Sequence, residues 1–169
     1  MNLKYCLLIL ILIGGMIPGC NKKQRPEGLP ELYPFAIKVI QDGQPLAGAN
    51  ISLVAQDPAL MRWPCGGNTN EEGIVKLTTY GFEGVPAGQF KVLIMKTETI
   101  GGVHNAEEAK RQREGEDFGK EEIFNLIDPI YRDQSTSPFV IDVKASYDNP
   151  ISEFDVGEAV KVPIKMPGE

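Results

Sequence analysis

The side chains able to cut, ligate or cross-link are few in this chain and stand far apart. His104 is the single histidine. Zinc centres need three or four convergent ligands, and no serine lies near His104 in sequence, so neither a metal site nor a nucleophile–histidine pair is legible there. An acid-rich stretch holds Glu107, Glu108, Glu114, Glu116, Asp117, Glu121 and Glu122. It lacks the regular Asp/Asn spacing and the glycine of a calcium loop, and Lys110, Arg111, Arg113 and Lys120 interleave it. That composition predicts a solvated charged face. Three aromatic residues remain as candidates, Trp63, Tyr80 and Tyr131, acting as stacking platforms for a sugar or a peptide. Trp63 shares a loop, residues 56–69, with Pro58, Met61, Arg62 and Cys65. The expectation for Trp63 and Met61 is that they fold over the open end of the domain as a lid. No metal or cofactor is expected.

The chain opens with one positive charge, Lys4, and an apolar run to Ile17 broken by Gly14 and Gly15. Such a run has the form of an export leader and is too short and interrupted for a membrane span of about 20 residues. It ends Ile17-Pro18-Gly19-Cys20, which resembles the lipobox of bacterial lipoproteins, where a peptidase cuts just before a diacylated cysteine. The resemblance implies that Cys20 is lipidated, that residues 1–19 are a signal peptide, and that residues 20–32 form a polar tether. Asn21 is not the Asp that retains lipoproteins at the inner membrane of enteric bacteria, so in a host with an outer membrane that membrane is the favoured location. Cys6 would leave with the leader and Cys20 would be acylated, which leaves Cys65 without a partner for an intramolecular disulfide and predicts an inert thiol. The formal charge of −6 argues against nucleic acid, whose recognition rests on clustered Lys and Arg.

Any site must be positioned by a β domain. In residues 35–55, Phe35, Ile37 and Val39 share one face, Asp42-Gly43 opens a reversal, and Ile51, Leu53 and Ala55 alternate again: a hairpin. Residues 74–79 alternate with Val75, Leu77 and Thr79 on one side. Residues 90–96 are apolar at nearly every position after Lys91, predicting a central strand covered on both faces. Residues 105–114 read as a polar helix with Asn105 as cap, and residues 120–127 as a further helical turn that docks Ile123, Phe124 and Ile127. Phe139, Ile141 and Val143 define another strand, residues 151–156 its return, and Pro163 confines any last strand to an edge. With 18 Gly and 13 Pro as punctuation, the pattern predicts a β-sandwich or barrel.

The ordered series Asp42-Gly43-Gln44-Pro45-Leu46-Ala47-Gly48-Ala49, Thr69-Asn70-Glu71-Glu72-Gly73 and Pro86-Ala87-Gly88-Gln89-Phe90-Lys91-Val92 resembles the carboxypeptidase regulatory-like family. Later matches at residues 130–139 and 154–156 extend the likeness toward small lipoproteins of planctomycete-like bacteria. The resemblance implies an all-β fold, a prealbumin-like (Ig-like) antiparallel β-sandwich of about seven strands over residues 33–166, with a polar, partly helical insertion at 98–128. It implies a non-catalytic binding or structural module in the cell envelope, held to the membrane by its lipid, whose partners are envelope proteins or glycans. The alternative is a sugar- or peptide-binding lipoprotein linked to uptake. Transthyretin-like hydroxyisourate hydrolases, the enzyme branch of this fold, use paired His with an Arg and a Tyr-Arg-Gly-Ser end. Here Tyr131-Arg132-Asp133 is internal and the chain ends Met166-Pro167-Gly168-Glu169, so no enzyme is expected. Related collagen-adhesin repeats carry a Lys–Asn isopeptide bond, for which Lys38 and Asn149 are formal candidates; Lys38 is expected to face outward instead.

Overall fold

The computed structural model describes residues 24–164. Its first half is laid out as β1 (Leu32–Tyr33), β2 (Ala36–Gln41), β3 (Gln44–Pro45), β4 (Asn50–Ala55), β5 (Cys65–Asn68), β6 (Ile74–Lys76), β7 (Thr78–Thr79), β8 (Phe82–Glu83) and β9 (Val85–Pro86). The second half adds β10 (Gly88–Met95), β11 (Thr97–Ile100), helix α1 (Ala106–Arg113), β12 (Glu122–Asn125), β13 (Val140–Val143), β14 (Ser152–Asp155) and β15 (Val162–Pro163). The all-β sandwich is therefore present, in shorter and more numerous pieces than the expected seven, because Gly and Pro interrupt most runs.

One layer is a six-stranded sheet in the order β13-β10-β4-β5-β7-β8. The other is built on β2, whose one edge takes β6 along Ala36–Lys38 and β3 along Ile40 and Gln41, while β14 pairs along the opposite edge. Alternation decides which residues meet between the layers. Ile37 and Val39 from β2 and Val75 from β6 join Ile51, Leu53, Phe90, Val92, Ile94, Ile141 and Val143 in one buried cluster. The Asn70–Gly73 reversal that delivers β6 follows from its residues: the Asn70 side chain accepts from the amides of Glu72 and Ile74. At Gly73 φ is +71°, and a Cβ would stand 2.5 Å from the Val39 carbonyl oxygen, which requires glycine.

Four expectations are corrected. The hairpin expected over residues 35–55 does not join its two apolar arms: Asp42-Gly43 turns β2 only into the short β3, and β4 lies in the opposite layer, paired with β5 and β10. β10 is central, but only its inner face is covered; Leu93 is half-buried and Met95 exposed. The outward side carries Gln89, Lys91, Leu93 and Met95, and the alternation with buried Phe90, Val92 and Ile94 is that of a strand covered on one face. The expected helical turn at 120–127 is β12, which pairs with β11 and β15 in a three-stranded sheet. Of its predicted docking residues only Ile127 is buried, at 2% exposure. The return strand β14 runs parallel to β2, so the sandwich is antiparallel in every pair but this one.

The polar helix α1 forms as expected. The Asn105 side chain accepts from the Glu108 amide at 2.9 Å, and none of the helix's residues is buried. It sits between β11 and β12, so the insertion at 98–128 is a β-ribbon carrying a helix, with Pro163 in the edge strand β15 as expected.

Candidate functional site

The loop before β5 is wound tightly: the amides of Leu60, Met61 and Trp63 donate to the carbonyls of Asp57, Pro58 and Leu60. This winding turns Trp63 inward to 9% exposure and leaves Met61 outside at 55%. Trp63 lies outside the contiguous core cluster, so it roofs a corner of the sandwich and Met61 is no part of a lid. The Arg62 guanidinium lies over the indole, 4.6 Å from its centroid, and donates to the Gly28 carbonyl at 3.3 Å. Tyr80 meets Trp63 edge-on, with centroids 6.2 Å apart and planes at 88°.

Tyr80 is held there by the hairpin between β7 and β8. Tyr80 and Gly81 both have positive φ, 53° and 78°, as a two-residue primed turn demands. A bulky residue in the left-handed region is uncommon and costs backbone energy. The Tyr80 amide is fixed by the Pro64 carbonyl at 3.0 Å, and the side chain is 53% exposed.

Tyr131 belongs elsewhere. It lies in a 3-10 turn, Pro129–Arg132, capped by the Asp128 carboxylate. Its ring is stacked on Phe139, 5.1 Å away and nearly parallel, and Phe139 in turn lies against Phe154. Phe139 enters β13, one edge of the six-stranded sheet, whereas Tyr80 sits at the tip of β7–β8, the other edge. Trp63 and Tyr80 are thus brought together, Tyr131 is not, and no two of the three rings form a coplanar platform.

The His104 ring bonds the Gly101 carbonyl at 2.7 Å, and its backbone amide donates to Glu108. That amide bond is the main reason the Glu108 carboxyl is held below the usual range. Both groups are on the surface. Among the described residues no group of three His, Cys, Asp or Glu side chains converges as a metal site. Cys65 is 6% exposed, its sulfur 3.2 Å from both the Trp63 carbonyl and the Thr79 hydroxyl, and burial pushes its thiol pKa up. Lys38 is ion-paired with Glu153, and Asn149 bonds Lys144 and Ser146 within its own loop. An open cleft of about 180 Å³ between Phe35, Lys76, Glu83 and Asn149 involves none of the candidate aromatics. It is smaller than the roughly 300–1,000 Å³ of small-molecule sites.

Two arrangements carry no signal in the sequence. One is the Gly28–Arg62–Trp63 stack, which needs the amino-terminal stretch to lie on the loop. The other joins Tyr33, Tyr147 and Glu31: the two rings meet edge-on at 5.5 Å, and the Tyr147 hydroxyl donates to the Glu31 carboxylate at 3.1 Å. That acidic neighbour is the main reason the Tyr147 phenol is raised, and for Tyr33 it adds to desolvation.

Part of the segment assigned to the tether is folded onto the domain. Leu29 is 8% exposed, Arg25 donates to the Pro30 carbonyl at 2.7 Å, and β1 pairs with β9. Cys20 and the leader lie outside the described residues. Among the described residues no helix is long and apolar enough to cross a membrane. No family model, curated protein or solved structure matches the chain.

Proposed function

We propose that this chain is a lipid-anchored β-sandwich of a bacterial cell envelope, acting as a non-catalytic interaction module, with Cys20 carrying the lipid. The observation that carries the module reading is the disposition of the aromatic residues. Trp63 is buried and edge-on to Tyr80, and Tyr131 is spent on internal stacking with Phe139. A sugar-binding protein would offer flat, exposed rings beside a groove, and a buried small-molecule site would need a larger cavity. What the domain presents instead is surface: exposed Met61, Tyr80, Tyr147 and Ile151 on a rigid two-layer frame. The exposed, carbonyl-bonded His104 gives no support to a hydrolase. The anchor rests on the leader and on Ile17-Pro18-Gly19-Cys20 in the sequence.

Mass spectrometry of the membrane-fraction protein tests the anchor. An acylated peptide beginning at Cys20, absent in Cys20→Ser, is the expected result; an unmodified, soluble chain would overturn it. The module reading is tested by titrating the protein with oligosaccharides and short peptides while following Trp63 fluorescence. No saturable change is expected, and a saturable one abolished by Tyr80→Ala would establish the uptake alternative.

A further inference from the structure

We propose that the end of the domain bearing Met61, Arg62 and Tyr80 on one flank and Tyr147 on the other is the face that rests on the lipid bilayer. The inference deepens the preceding reading and rests on Cys20 being the anchor.

The length of chain leading into the domain points to this face. Arg25 is already tied down through the Leu29 and Pro30 carbonyls. Five residue steps separate it from Cys20, and an extended chain covers at most about 3.6 Å per residue, or roughly 18 Å in all. A short lead of this kind leaves the domain little freedom to turn its anchored end away from the headgroups. Three residues on from Arg25, the Gly28 carbonyl receives Arg62, and a Cβ at Gly28 would stand 2.6 Å from that guanidinium. The chain therefore leaves the domain beside the Arg62–Trp63–Tyr80 stack. On the other flank the Tyr147 hydroxyl donates to Glu31 at 3.1 Å, and Glu31 directly follows Pro30, whose carbonyl accepts from Arg25.

The chemistry on both sides of this exit suits an interface between water and lipid. Met61, Tyr80 and Tyr147 are 55%, 53% and 69% exposed, which places one apolar side chain and two phenols, apolar bodies with polar tips, at the surface. Tyr and Trp favour the headgroup level of membranes for that reason. Lys22, Lys23, Arg25 and Arg62 give four positive charges at this exit against Glu27 and Glu31, the latter at the Tyr147 hydroxyl, in a chain that is otherwise net acidic. Anionic headgroups attract basic residues placed next to a membrane anchor.

Trp63 is the only tryptophan and so reports on this corner without labelling. The test reconstitutes the full-length acylated protein into vesicles of phosphatidylcholine and phosphatidylglycerol containing a headgroup-spin-labelled phospholipid. Quenching of Trp63 is expected, with loss of quenching in the Met61→Asp/Tyr80→Asp double variant and retention in Val140→Asp, which alters an exposed residue of β13. The amino-terminal peptide of the same sample is weighed. Acylated Cys20 without Trp63 quenching would overturn the proposed face and leave the anchor standing. Unmodified Cys20 would overturn both. Quenching that persists in the double variant would also overturn the face, provided circular dichroism shows both variants folded.

Discussion

Lys38 and Glu153 stand opposite one another across the parallel pair β2–β14, with the amine 2.8 Å from the carboxylate. Both remain in contact with solvent, at 35% and 51% exposure, so the pair contributes at most about 1 kcal/mol. Lys38→Met is expected to lower stability by no more than that amount in urea titration. Because the amine is directed at Glu153 and Asn149 is bonded within its own loop, the intact mass should show no loss of ammonia. A mass short by one ammonia would establish the isopeptide bond instead.

The core and the insertion should respond very differently. Phe90 is 1% exposed at the centre of the buried cluster, and Phe90→Ala should cost roughly 3–5 kcal/mol. Ala109→Gly lies in α1, which buries none of its residues, and should cost no more than about 1 kcal/mol. Chemical denaturation of the two variants, followed by fluorescence, measures the contrast.

Tyr80 tests what its backbone conformation costs. Tyr80→Val places a β-branched residue at positive φ and is expected to destabilise by about 1–3 kcal/mol. Tyr80→Asn tolerates the turn and should lie within about 1 kcal/mol of the parent, its gain in the turn offsetting the lost ring contact with Trp63. Thermal unfolding of both variants would reveal an error if Val proved the milder change.

Cys65 sets an alkaline limit. Burial raises its thiol above the ordinary value near 9.0, so the folded protein holds this proton more tightly than the unfolded chain does. The resulting stabilisation is complete below the unfolded thiol value and is lost as pH rises through the folded one. Stability should therefore decline above about pH 9, and Cys65→Ala should flatten that part of the profile. Tyr33 and Tyr147, both raised, act in the same direction at higher pH. Alkylation of Cys65 at neutral pH should be slow in the folded protein and rapid in denaturant.

Period-two alternation read the core faces of β2, β4 and β13 correctly, since Ile37, Val39, Ile51, Leu53, Ile141 and Val143 all lie inside. Turn chemistry placed the reversals at Asp42-Gly43 and Asn70–Gly73, and capping chemistry placed Asn105. Long-range pairing was not legible. Residues 122–125 have the apolar spacing of a helical turn, and only β11 on one side and β15 on the other make them a strand. Likewise alternation is the same in a parallel and an antiparallel strand, so the direction of β14 carried no trace. At the candidate site the sequence marked Trp63 and Tyr80 as bulky loop residues. Their contact, and the part played by Arg62 and Gly28, depends on segments that meet only after folding.

The parallel pairing of β14 with β2 has a kinetic side. Lys38 and Glu153 are 115 positions apart, so one edge of β2 stays open until nearly the whole domain is available. Contacts of such separation slow folding, because a long loop must close before they reward it. A nascent chain would thus pass through a period with an unpaired strand edge, and a product truncated before Ser152 would keep that edge permanently, prone to pair with another copy.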